Sequence, residues 1–154
     1  LLGLEQSMFM VRSLSCAGLG VKQNEAGWQA LVAAMQGDED ANVRAEAANA
    51  LVSHSLERAW PLLRDVFAAD QQWLVRCSIL SALAEQPAID PAWLLELASM
   101  AITDADGTVR VGGAEILARL VREQGADEAR VLLQLLQADP DHRVVAAALN
   151  GLQS

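Results

Sequence analysis

The feature that most constrains this chain is a spacing. Val11, Val43, Val75, Val109 and Val144 follow one another at intervals of 32, 32, 34 and 35 residues, and eight residues after each comes a leucine: Leu19, Leu51, Leu83, Leu117 and Leu152. Recurrence at such a period marks a repeat architecture, in which a unit too small to bury its own apolar face stacks on its neighbours to make a continuous core. Offset four from each valine is small or aliphatic (Ser15, Ala47, Ile79, Gly113, Ala148), and so is offset seven (Gly18, Ala50, Ala82, Ile116, Gly151). Offsets 0, 4, 7 and 8 fall on one stripe of an α-helix, and small side chains there let neighbouring helices approach closely. This is helix B of each unit.

Between successive B helices lies a second amphipathic segment, helix A: "EAGWQALVAAMQ" from Glu25, "LERAWPLLRDVF" from Leu56, "PAWLLELASMAI" from Pro91 and "DEARVLLQLLQ" from Asp127. Asp90-Pro91 and Asp139-Pro140 each set a capping acid before a proline suited to a first helical turn. Pro61 is expected either to begin its helix or to kink it. The 53% apolar share is carried mainly by Ala and Leu, with no Tyr and two Phe, which favours helix over sheet. The predicted fold is an all-α right-handed solenoid of about four and a half helix pairs. It forms a single domain over 1–154, with units near 1–20 (an orphan helix B), 21–53, 54–86, 87–123 and 124–154.

The turn before each helix B carries the polar signature. Asp38-x-Asp40-x-x-Val43-Arg44 and Asp104-x-Asp106-x-x-Val109-Arg110 are full copies. Asp139-x-Asp141-x-x-Val144 keeps the acids but has Val145 in place of Arg, with Arg143 displaced. The Asp70 copy has Gln72 for its second acid but retains Arg76, and the first copy has Gln6 and Met8 where acids belong. The pattern resembles the HEAT repeat, and more closely the bacterial HEAT-like variety first named for phycobilisome lyases, whose units read D-x-D-x-x-V-R-x-x-A-x-x-A-L. The resemblance covers nearly the whole chain. It implies a scaffold shared by many functions.

The acids and arginines (Asp38, Asp40, Arg44, Asp70, Arg76, Asp104, Asp106, Arg110, Asp139, Asp141) are read as a structural ladder. Asp caps free N–H groups at a helix start, and each Arg reaches the acid of an adjacent turn and fixes register. Trp28, Trp60 and Trp93, one per helix A, are read as packing anchors, and Trp73, near an A–B turn, as the exposed aromatic. Cys16 and Cys77, isolated and without CxxC spacing, are expected as buried free thiols in a reducing cytoplasm. No signal peptide is visible in the residues from Leu1.

No catalytic constellation appears, and neither cofactor nor metal is expected. Ser-His-Asp order, a glycine-rich phosphate loop and paired carboxylates are missing. His54 and His142 stand alone, without the His-Glu pairs through which the HEAT-like deoxyhypusine hydroxylases hold iron. The net charge of −9 with a single lysine, Lys22, argues against nucleic acid, and so against the activity of the HEAT-like DNA glycosylases. No apolar run reaches the roughly 20 residues needed to span a bilayer, so a soluble protein is expected.

The face of helix B opposite the buried stripe, at offsets 2, 5, 6 and 9, is expected to line the concave side of the solenoid. It comprises Ala45, Ala48, Asn49 and Val52, then Cys77, Leu80, Ser81 and Ala84, then Val111, Ala114, Glu115 and Ala118. Such an apolar groove edged by acids suits an amphipathic helix or extended peptide carrying basic residues. The expected function is a non-catalytic protein–protein interaction scaffold. The N-terminal Met8-Phe9-Met10 is a further candidate contact for a partner or for self-association. The family resemblance alone implies an alternative, a phycobilin lyase-type accessory binding a bilin chromophore and phycobiliprotein.

Overall fold

The computed structural model describes residues 25–153. The first repeat copy, including Cys16 and the candidate contact Met8-Phe9-Met10, lies outside the described residues. Those described form eight helices and no strand: α1 (Glu25–Gly37), α2 (Ala41–His54), α3 (Leu56–Ala69), α4 (Trp73–Ala84), α5 (Pro91–Ala101), α6 (Gly107–Gln124), α7 (Asp127–Leu136) and α8 (His142–Leu152). Odd-numbered helices are helix A and even-numbered ones helix B. The four A helices begin at Glu25, Leu56, Pro91 and Asp127, where the sequence sets them. The described residues fall into two compact units that divide between Ala82 and Leu83. In the first, α1 packs on α2 and α2 on α3; in the second, α6 packs against α5, α7 and α8, and α7 against α8.

Helix starts follow local chemistry. Asp40, Asp90, Asp106 and Asp141 each accept a hydrogen bond from the backbone N–H two residues on, at 2.8–2.9 Å, and Ser55 caps α3 by accepting from Arg58 N at 3.4 Å. These bonds satisfy amides that the first helical turn cannot pair internally. Pro91 sits directly after its cap, where its missing N–H costs nothing. Asp139-Pro140 departs from the expectation: α8 starts two residues later and is capped by Asp141, so Asp139 is freed for another partner. Pro61 does not begin α3, which starts five residues earlier behind Ser55; it lies inside that helix, on its exposed side. The turn from α6 into α7 rests on Gly125, whose φ of 60° is the left-handed region open to glycine at little cost.

The buried stripe recurs in each described B helix. Val43, Ala47, Ala50 and Leu51 in α2, Val75, Ile79, Ala82 and Leu83 at α4, and Val109, Gly113, Ile116 and Leu117 in α6 are all buried. In α8, Val144, Ala148 and Gly151 are buried and Leu152 half-buried. Full burial of a Leu or Val side chain is worth about 1.5–3 kcal/mol, so the stripe is the main driving force in each helix pair. The glycines mark the closest approaches. A Cβ on Gly113 would stand 2.8 Å from Ala101 Cβ and 3.2 Å from the backbone N of Ile102, and one on Gly151 2.8 Å from Ala118 Cβ.

A ladder in the turns and a groove between B helices

The two acids of each turn do different work. The second acid caps helix B, as above. The first acid holds the turn: Asp38, Asp70, Asp104 and Asp139 accept from the N–H of Asp40, Gln72, Asp106 and Asp141 at 2.8–2.9 Å. Asp70 and Asp139 each also receive an arginine from the preceding repeat. The Arg44 guanidinium donates through Nε to Asp70 Oδ2 at 2.8 Å and through Nη2 to Oδ1 at 3.3 Å. Arg110 does the same to Asp139, at 2.9 and 3.2 Å. Both pairs are largely buried, with side chains 14% and 8% exposed in the first and 15% and 8% in the second. The remaining Nη1 donates back to the chain's own turn: Arg44 to Asp38 O, Arg76 to Asp70 O and Arg110 to Asp104 O, at 2.8–2.9 Å. Arg44 and Arg110 therefore each tie their own turn to the next, in the planar bidentate geometry that lysine does not supply. Gln72 replaces only a cap; Asp70, which Arg44 requires, is retained.

The last turn differs because Val145 occupies the arginine position. Arg143 instead folds onto Asp141, with Nη2 2.8 Å from Oδ2, and reaches Thr108 Oγ1 at 3.2 Å. Hydrogen bonds from the Arg143 guanidinium, then from its backbone N–H, hold the Asp141 carboxyl down at about 2, from an ordinary 3.8. Because the folded value is depressed, the stabilisation from this contact is complete above pH 3.8 and is lost as pH falls toward 2. In Arg143→Ala the Asp141 midpoint, followed by carboxyl-carbon NMR, is expected to rise part of the way to 3.8, the backbone N–H remaining. An unmoved midpoint would refute the assignment.

The aromatic residues divide by exposure. Trp28 and Trp60 are buried, Trp93 is half-buried and Trp73 is 47% exposed. The Arg58 guanidinium lies 4.2 Å from the Trp28 ring centroid and donates to Glu25 Oε2 at 3.0 Å, which lowers the Glu25 pKa. His54 packs against Trp28 with centroids 5.2 Å apart. Both His54 ring nitrogens are buried without a hydrogen-bond partner. Among the described residues no group of three His, Cys, Asp or Glu is placed to hold a metal ion, and no helix is long and apolar enough to cross a membrane.

The expected groove wall needs correction in the first unit. Ala45, Val52 and Leu80, proposed as lining, are buried in the core, as are Ala48 and Ala114 at offset five. Asn49 and Ser81 are exposed, and Cys77 and Ala84 half-buried. The physical reason is angular. In α2 the buried arc extends past the stripe to offsets 2, 5 and 9, whereas in α4 and α6 offset 5 is buried and offsets 2 and 9 are half-buried. The open arc centres on offsets 3, 6 and 10. The apolar character of offset 5 reflects that burial in all three helices.

In the second unit an open cleft of about 620 Å³ runs between the two B helices. Val111, Glu115, Ala118 and Arg122 line it from α6, and Ala146, Ala147, Asn150 and Arg143 from α8, with Gly151 against Ala118. Its rim is not purely acidic, as had been expected: Glu115 is joined by Arg122 and Arg143. Neither Glu115 nor Arg122 has a hydrogen-bond or ion-pair partner among the described residues. Asn150 occupies the same offset as Glu115 and could have been found by carrying the count into the fifth copy. Arg122 lies beyond the repeat's leucine, where no periodic signal reaches. A second cleft, also about 620 Å³, lies over the turns of the first unit, but Arg44 and Asp70 in its lining are already paired.

The sequence model of the HEAT repeats family matches residues 3–84, more than half of the chain. The chain belongs to the HEAT-repeat family. HEAT repeats are commonly protein-interaction scaffolds. The match covers α1 to α4, and the second unit of the HEAT-repeat chain carries the same Val-x7-Leu spacing beyond it. No curated protein matches the sequence.

Proposed function

We propose that this HEAT-repeat chain is a non-catalytic protein-interaction module whose contact surface is the cleft between α6 and α8. The observation that carries the reading is the cleft itself: an open groove floored by small side chains, with the half-buried Val111 on one wall and two charged groups, Glu115 and Arg122, left unpaired among the described residues. Unpaired charges beside apolar surface are what a partner desolvates and pairs, and their placement selects that partner. The ladder residues, by contrast, have spent their hydrogen bonds on one another. The exposed Trp73, Asn49 and Ser81 and the half-buried Cys77 of the first unit are proposed as secondary contacts.

The test is capture from an extract of the source organism with a photo-crosslinking residue at position 146. Ala146 is exposed, so the fold tolerates the change, whereas Leu80 is buried and would unfold the domain when charged. One cross-linked protein is expected, lost when Ala147→Trp fills the cleft and retained with Gln134→Glu on exposed α7 surface. Equal capture by the cleft-filled variant would sink the proposal.

A further inference from the structure

We infer that the occupant of the α6–α8 groove is an amphipathic α-helix bearing a cation and a carboxylate seven residues apart along one flank of its apolar stripe. The inference rests on the interaction reading above and specifies its partner. Two observations carry it.

The first concerns backbone chemistry. Both walls are helices whose amides and carbonyls are spent internally, so the groove offers no edge to an extended chain. A strand laid there would bury N–H and C=O groups with no partner, at a cost of several kcal/mol, whereas a helix satisfies its own. The floor suits that shape. Gly151 lies against Ala118, so α6 and α8 meet at close range, and Ala146 and Ala147 leave a shallow channel between two cylinders. A third helix seats in such a channel by ridge-into-groove packing.

The second is charge complementarity. Glu115 and Arg122 are seven residues apart on α6, which returns them to the same side of the helix after nearly two turns, roughly 10 Å apart along its axis. Both line the cleft, both are exposed and both are unpaired among the described residues. A helix lying along the groove meets them with a cation and a carboxylate at the same seven-residue spacing, and the small residues between place its apolar stripe on Val111, Ala118 and Ala147. For a given order of the two charges, one running direction pairs both. Two like charges at those positions meet one repulsion in either direction.

The experiment uses the whole chain and three synthetic 20-residue helices sharing one Ala/Leu stripe, with Lys and Glu, Lys and Lys, or Glu and Glu seven positions apart on its flank. Binding is read by fluorescence anisotropy at low ionic strength. The wild type is expected to prefer the Lys/Glu helix by about fivefold over either other. Glu115→Arg is expected to move the preference to Glu/Glu, and Arg122→Glu to Lys/Lys. Both changes fall on exposed, unpaired side chains, and an unchanged melting curve verifies the fold. Equal affinities for all three helices, each abolished by Ala147→Trp, would overturn the charge inference and leave the groove reading standing. Binding of a proline-interrupted, non-helical peptide of the same composition in preference to the helices would overturn the helical occupant. A concentration-dependent dimer dissolved by Glu115→Arg would assign the groove to a second copy and also overturn it. Peptide binding indifferent to Ala147→Trp would remove the groove reading itself.

Discussion

Asp70→Ala is expected to destabilise the domain by about 3 kcal/mol, because it leaves the Arg44 guanidinium largely buried with a single remaining acceptor, Asp38 O. The loss has two parts. The bidentate pair at 2.8 and 3.3 Å disappears, and so does the turn bond from Gln72 N at 2.9 Å. For a chain of this length the melting temperature is expected to fall by roughly 6–12 °C. Arg44→Met should cost a similar amount by stranding the Asp70 carboxylate. The double variant should cost clearly less than the sum, since neither charge is then left alone. Asp65→Ala provides the scale: its pair with Arg64 spans 3.7 Å and its side chain is 75% exposed, so a change within about 0.5 kcal/mol is expected. Denaturant melts of the four variants complete the cycle. Additive costs, or an Asp70→Ala loss no larger than that of Asp65→Ala, would show that the ladder does not hold the turns together.

Gly113→Val is expected to be at least as damaging, about 4 kcal/mol. Valine is a better helix former than glycine, and in open space that preference would stabilise by a few tenths of a kcal/mol. Here the sign is set by packing. The new Cβ would meet Ala101 Cβ at 2.8 Å, Ile102 Cγ2 at 3.0 Å and the Ile102 backbone N at 3.2 Å, and a backbone atom at the end of α5 cannot rotate away. Gly113→Ala, with one methyl, should lose about 1–2 kcal/mol by the same contacts. Gly37→Ala is the control, because nothing lies within 4 Å of the Cβ it would add at the end of α1; no loss is expected there. Thermal melts decide between the readings. A stabilised Gly113→Ala would mean that helix propensity outweighs the contact between α5 and α6.

Much of the architecture is legible residue by residue. The Val-to-Leu offsets name the buried stripe, and Glu25, Leu56, Pro91 and Asp127 mark the starts of the A helices, because helical periodicity and capping are local properties. Where local signals conflict, tertiary context decides. Asp139-Pro140 has the look of a cap, yet Asp141 caps α8 because Asp139 is held by Arg110. Pro61 has the look of a helix start, yet Ser55 supplies a cap six residues earlier. The groove residues were harder. Ala45, Val52 and Leu80 are apolar in the same way whether they face a ligand or a neighbouring helix, and nothing within their own helix distinguishes the two.

The sequence by itself determined the repeat, its period, its helix pairs and the side of each B helix that must be buried, because all of these rest on interactions within about eight residues. Only the tertiary structure decided which acid pairs with which arginine, 26 or 29 residues away. It also decided how far burial spreads around a B helix, and that an open cleft lies between α6 and α8 with Glu115 and Arg122 unpaired among the described residues. Those outcomes depend on distances between units that are remote along the chain, and a one-dimensional pattern carries the chemistry of each residue without the identity of its neighbour.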